Sequence, residues 1–277
     1  MNRWRFVLSR RWARYLVLVL VFAAGCAALS WWQVSRREDK VDRITLVEQN
    51  YDADPIPLAE ALPFSPDEEW QPVEATGTYR TADQLLVRNR PNGGKAGFEV
   101  LVPFETEDGR LFLIDRGWVP AGSTGFGPDE VPEAPEGEVT VVARLKPGEP
   151  RVAGGTTASG VLASIQLEEA ARILGQPIET GAYGLLASED PAPAERPMPR
   201  ERPAVDEGPH LSYAMQWIAF GLLGFAGLAF AIRQEYRYRN ADDPEEQRKA
   251  AERAARKAGK RSDADEEDAL LDRAHRG

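Results

Sequence analysis

Two uncharged apolar stretches, residues 15–32 and 211–232, constrain this chain most, because each is close to the ~20 residues a helix needs to cross a bilayer core. Arg3, Arg5, Arg10, Arg11 and Arg14 precede the first without a single acid, and Arg233, Arg237 and Arg239 follow the second. The positive-inside rule therefore predicts both chain ends in the cytoplasm and the intervening residues outside, in a bacterial plasma membrane. Trp31 and Trp32 close the first stretch as an interfacial belt would. A cleaved signal has a shorter apolar region and a small-x-small site before the mature domain, so a spanning helix is the preferred reading. Ala23, Ala24, Gly25 and Cys26 resemble the residues before a lipidated cysteine without its usual leucine, and Ser9, Arg10 and Arg11 hint at a twin-arginine signal. Otherwise Cys26 is a small lipid- or helix-facing residue. Gly221, Gly224 and Gly227, with Ala23, Ala24, Ala27 and Ala28 in the other stretch, would let two helices pack closely.

Charge is distributed unevenly: residues 33–209 carry 32 acids against 17 bases, while the first 32 residues carry five arginines and no acid. A net-acidic outer segment has no general attraction to nucleic acid. One cysteine excludes an internal disulfide, a cysteine-rich zinc site and a CxxC redox site, and two histidines exclude the common multi-histidine metal centres within one chain.

The expected organisation is a cytoplasmic N-terminus (1–14), a first helix (15–32), a proline-punctuated linker (33–69), an outer domain (70–188), a Pro/acid-rich linker (189–209), a second helix (210–232) and a charged tail (233–277). The tail reads as part helix, part disorder, with His275 solvated. Within the outer domain, period-two runs at 73–79, 84–89, 98–104, 111–116 and 138–145 predict strands. Asn92-Gly93-Gly94 and Glu107-Asp108-Gly109 predict a loop and a hairpin turn, so neighbouring strands should pair in order. A short helix near 58–62, a helix over 167–174 ended by Gly175 and a last strand near 182–187 complete the set. The fold class is α+β: two transmembrane helices flanking a mostly antiparallel β extracytoplasmic domain with one short helix.

GxSxG, P-loop, GxGxxG-after-strand and HExxH patterns are missing, and no soluble histidine can serve a triad, which argues against catalysis. A membrane-tethered envelope enzyme with two carboxylates is the remote alternative, since Asp67, Glu68 and Glu69 read as a solvated charge run. Arg88 and Arg90 end one strand, and Asp115, Arg116 and Trp118 end another, so one rim of the sheet gathers arginines and an aromatic. That rim is either a docking surface or a structural cluster in which Asp115 and Arg116 are paired and Trp118 is core. His210 stands just before the second apolar run, with Tyr213, Gln216 and Trp217 on the same side of a helix. These polar groups either face a partner or ligand, where a neutral imidazole can ligate a haem iron, or anchor the helix at the headgroups.

Trp70-Gln71-Pro72-Val73 with Gly77 and Tyr79, Arg88-Asn89-Arg90-Pro91, residues 97–103, Asp115-Arg116-Gly117-Trp118-Val119-Pro120 and His210-x-x-Tyr213-Ala214-x-Gln216-Trp217 together resemble the Surfeit locus protein one family. The likeness runs from about residue 15 to 237 and includes the two-helix frame. Gly208 and Pro209 stand where members often carry an asparagine shortly before the histidine. The resemblance implies a non-enzymatic assembly factor for haem-copper cytochrome c oxidase that binds haem a transiently and helps its insertion into subunit I, with haem a synthase as a further partner. It also implies His210 as axial ligand to the haem iron, with Tyr213, Gln216 and Trp217 around the cofactor. A haem-independent scaffold that holds oxidase subunits through the Trp118 rim is the alternative.

Overall fold

The structure is a computed structural model describing residues 4–123, 127–152 and 160–258. It divides into two units, residues 38–208 and the helical remainder.

Among the described residues, two helices are long and apolar enough to cross a membrane. α1 spans Arg10–Asn50, its residues 38–50 belonging to the unit of residues 38–208, and α3 spans His210–Arg239, with only 11% and 6% of their most apolar windows buried. A core helix of a soluble domain would bury most of that surface, so these faces suit an apolar surrounding such as a bilayer. The two helices meet through small residues. Cys26 is buried, and a Cβ placed on Gly221 would lie 3.6 Å from the Cβ of Cys26. A Cβ on Gly224 would come within 3.2 Å of Phe22, so Cys26 is helix-facing. Close backbone approach of this kind suits association in lipid, where dispersion and not water exclusion joins helices.

α1 corrects the expected linker. It continues well past residue 32, because no glycine or proline interrupts residues 33–54 and local bonds such as Arg43 Nε to the Asp39 carbonyl (3.1 Å) support it. α4 (Pro244–Ala258) begins with Pro244, Glu245 and Glu246, a favourable helix start, and carries an ion pair between Lys249 and Glu245 at 3.3 Å. The rest of the tail, His275 included, lies outside the described residues.

In the other unit, the strands are β1 (Ile56–Pro57), β2 (Pro72–Tyr79), β3 (Leu85–Val87), β4 (Gly97–Thr106), β5 (Leu111–Pro120), β6 (Val139–Pro147), β7 (Val161–Leu162) and β8 (Ala182–Asp190). The helix α2 occupies Leu167–Leu174 and ends on Gly175 in the left-handed region. Residues 58–61 form turns instead of the expected short helix.

Strand pairing runs β2–β4–β5–β8–β6 and back to β2, so five strands close a small barrel. Only the β5–β8 junction in this ring is parallel. Numbered along the chain, the ring reads 1-2-3-5-4, the arrangement of an OB-type Greek-key barrel. Closure corrects the expectation of pairing in order. β3–β4 and β4–β5 do pair in order, across the Asn92-Gly93-Gly94 loop and the Glu107-Asp108-Gly109 hairpin, but β2 pairs with β4 and β6 instead of β3, which lies outside the ring. A closed ring leaves no free edge, which protects β-rich chains from edge-to-edge association.

Alternation along the strands fills the barrel with Val73, Val100, Val102, Phe104, Phe112, Ile114, Val139, Val141 and Leu145. Leu101, Leu113 and Tyr183 point the other way and are covered by Leu85, Val87, Leu162, Leu167 and Ala170 from β3, β7 and α2. Both faces of β4 and β5 are therefore buried, as their near-continuous apolar runs require.

Candidate functional site

Between Glu99 and Leu101 the partners on β5 step from Trp118 to Asp115, so β5 carries one extra residue, a bulge at Arg116–Gly117. A bulge reverses which residues face inward. Ile114 and Val119 are both in the barrel core, while Asp115 and Trp118 both turn to the outer side. The Asp-Arg-Gly-Trp-Val-Pro sequence is thus a device that sends its charged residues to two separate clusters.

The inner cluster is built on Arg116, whose side chain is wholly excluded from solvent. Its Nη2 donates to Glu189 Oε1 at 3.0 Å and its Nη1 to the Pro132 carbonyl at 3.0 Å. The Tyr79 hydroxyl donates to the other Glu189 oxygen at 2.8 Å, and burial, then Glu189, pushes the Tyr79 hydroxyl pKa far up. This network ties β2, β5 and β8 together at the parallel junction.

The outer cluster is acidic at its centre. Asp115 and Glu99 are both buried, and burial followed by the Glu99 charge raises the Asp115 pKa well above the usual carboxylate range. Glu99 is raised by the same burial, against the pull of Arg90 and Arg200. Arg90 Nε sits 2.8 Å from Glu99 Oε2 as an ion pair without the alignment of a directed hydrogen bond. Arg90 also binds Glu149, whose hydrogen bond from Arg90 holds its pKa down despite burial. Arg200 Nη1 reaches Glu99 Oε1 at 2.9 Å, and Trp118 Nε1 donates to the Arg90 carbonyl at 2.6 Å.

Arg200 belongs to the segment after β8, which is a strap instead of a free linker. Met198 exchanges two backbone hydrogen bonds with Trp118, each 2.8 Å, and Arg202 pairs with Asp52 at 2.6 Å. Gly117 permits this contact. Its φ is +126°, and a Cβ there would fall 2.4 Å from the Met198 carbonyl oxygen. Strap and barrel border an open cleft of about 530 Å³ lined by Trp118, Val119, Pro120, Pro132, Pro197 and Met198, among others. Of the rim residues read from sequence, Asp115, Arg116 and Trp118 are buried and Arg90 is half-buried, and of these Trp118 lines the cleft. Arg88 is half-buried with its Nε unpaired.

In the helical unit, His210 is the first residue of α3, half-buried, and its Nδ1 lies 2.9 Å from the Gln33 side-chain oxygen on α1. With Nδ1 donating to Gln33, Nε2 keeps its lone pair, which is the form an imidazole needs to ligate a metal. Trp217 is half-buried two turns along, on the side that also buries Ala214 and Gly221. Tyr213 and Gln216 are exposed, so His210 and Trp217 share the helix-facing side and the other two flank it. Gln33 carried no sequence signal beyond following Trp32. Glu99 did carry one, a charge inside an apolar strand run, and Arg200 sat unmarked in a proline-rich stretch.

Two membrane-length helices and a small closed barrel, with an imidazole positioned by an amide at the start of the second helix, define a membrane-type protein with one accessory domain. The SURF1 family profile matches residues 20–222, and the chain belongs to that family. A SURF1-like protein of Mycobacterium tuberculosis is 32% identical over 251 residues, covering 87% of this chain and 91% of that relative. The cytochrome oxidase assembly protein SHY1 of Saccharomyces cerevisiae is 33% identical over 118 residues, covering 40% of this chain and 30% of that one. Human Surfeit locus protein 1 is 31% identical over 130 residues, covering 40% of each.

Proposed function

We propose that this protein is a non-enzymatic assembly factor for haem-copper cytochrome c oxidase, lying in the plasma membrane with both ends cytoplasmic and the barrel outside. His210 binds haem a transiently for hand-over to oxidase subunit I, with haem a synthase as the donor-side partner. The observation that carries this reading is the Gln33–His210 contact, within the family-matched residues, which supports an imidazole oriented through Nδ1 with Nε2 available to a metal. The donor set fits a haem: one imidazole, an indole at Trp217, and Tyr213 and Gln216 at the flank, on a face too polar to sit comfortably against lipid. Bound haem a would be cargo for the oxidase, and the chain's own contribution is to orient the imidazole. The family relation to a yeast protein named for cytochrome oxidase assembly supports the oxidase as client.

A second reading is a haem-independent scaffold, favoured by the cleft beside Trp118, whose aromatic and proline lining suits docking of a polypeptide segment. Affinity purification of the tagged full-length protein from membranes, with spectra of bound haem and detection of subunit I, separates the two. The first reading expects haem a and subunit I with wild type and loss of haem alone with His210→Ala. The scaffold expects subunit I without haem, and loss of subunit I with Trp118→Ala.

A further inference from the structure

We infer that the groove between α1 and α3 at their arginine-rich ends binds one anionic phospholipid, its phosphate against Arg11 and Trp12 and an acyl chain along Leu18, Val19, Gly227 and Leu228. This rests on the membrane reading above and is independent of the oxidase role. The glycine seam shows where the helices part. Gly221 and Gly224 each face a side chain of α1, whereas a Cβ on Gly227 would meet nothing within 4 Å. Beyond that point the helices leave a groove of about 570 Å³, a volume in the range of single-ligand sites.

Three features select an anionic lipid over any bilayer lipid. Trp12, which lines the groove, is 4% exposed, and its Nε1 has no hydrogen-bond partner among the described residues. A buried donor left unmatched costs about 1–3 kcal/mol, and a phosphate oxygen would satisfy it. Charge at this end is one-sided, with Arg5, Arg10, Arg11, Arg14, Arg233, Arg237 and Arg239 against Glu235. Glu235 is held by Arg239 at 2.8 Å and lies 3.8 Å from Arg11, so Arg11 retains charge for a phosphate. Aromatics mark the headgroup level: Trp4 stacks on Tyr236 at 4.3 Å, and Trp12 meets Tyr15 at 5.6 Å. Basic pockets between membrane helices are where acidic headgroups settle.

Native mass spectrometry of the full-length protein in mild detergent, titrated with dioleoyl phosphatidylglycerol or dioleoyl phosphatidylcholine, tests the site. Phosphatidylglycerol should be retained at least about five-fold more strongly, and inorganic phosphate alone should not be retained, because the chain supplies much of the binding. Arg11→Gln removes the charge, and Gly227→Leu fills the groove without touching the arginines; each should reduce phosphatidylglycerol retention about five-fold or more. Equal retention of the two lipids, or retention unchanged in either variant, overturns the site. Because binding is read in detergent, such a failure leaves sidedness and oxidase assembly untouched, and failure of those leaves this result standing.

Discussion

The His210 imidazole and the Gln33 side-chain amide meet at 2.9 Å and join the first residue of α3 to α1. Partners on the distal nitrogen of a metal-binding histidine commonly change metal affinity about 10–100-fold. Gln33→Leu should therefore lower the haem retained by purified protein about ten-fold or more, read as the pyridine haemochrome, without lowering expression. Gln33→Glu keeps an acceptor in place and should retain most of it. Equal haem in wild type and Gln33→Leu would remove Gln33 from the site.

Arg116 is a charge buried at the parallel junction, where Glu189 lies 3.0 Å away. Breaking such a pair by removing one partner costs about 3–5 kcal/mol, since the other charge stays buried. Arg116→Ala should lower the thermal midpoint of the full chain by about 6 to 20 °C. Tyr79→Phe removes one hydrogen bond to the carboxylate and should cost about 1.5–3 kcal/mol. A midpoint unchanged in Arg116→Ala would contradict the network's structural role.

Asp115 gives the barrel a distinctive pH response. Burial and Glu99 raise its folded-state pKa, so the folded domain keeps a proton that the unfolded chain releases near its ordinary value of about 3.9. Its contribution to stability therefore falls as pH rises from that value through the folded one. Glu99 acts in the same sense and Glu149, whose pKa is lowered, in the opposite sense. Asp115→Asn keeps the acceptor for the Gly117 N–H and should gain on wild type in thermal midpoint as pH rises from about 4 to about 8. A difference independent of pH would refute the assignment.

Gly117 is the point where strap and barrel touch. Gly117→Ala places a Cβ 2.4 Å from the Met198 carbonyl at a φ that other residues rarely adopt, so the strap must lift. Limited proteolysis should then cut within residues 191–208 several-fold faster than in wild type, while cleavage elsewhere in the barrel changes little. Equal rates at the strap would show that the contact is not holding it.

Much of this architecture was written in local patterns. The apolar runs marked both membrane-length helices, the period-two runs located β2, β3, β4, β5 and β6, the strand expected near 182–187 is β8, and Gly175 marked the end of α2. Barrel closure was not legible, because the β2–β4 and β5–β8 pairings join residues far apart in sequence and depend on register. The bulge at Arg116–Gly117 was hidden for a related reason: one extra residue reverses inside and outside, so Trp118 follows no simple alternation. His210 stood out as a polar residue beside an apolar run, whereas Gln33, its partner, differs from any interfacial glutamine only through its position opposite that ring. Arg200 lay in a stretch whose prolines read as a linker, yet those prolines fix the extended strap that carries it to Glu99.

The most direct test is the reduced-minus-oxidised difference spectrum of membranes from a deletion strain complemented with wild type or His210→Ala. Haem delivery through His210 predicts a haem a band that falls on deletion, returns with wild type and stays low with His210→Ala at equal protein level. Restoration of the band by both would contradict haem delivery through His210.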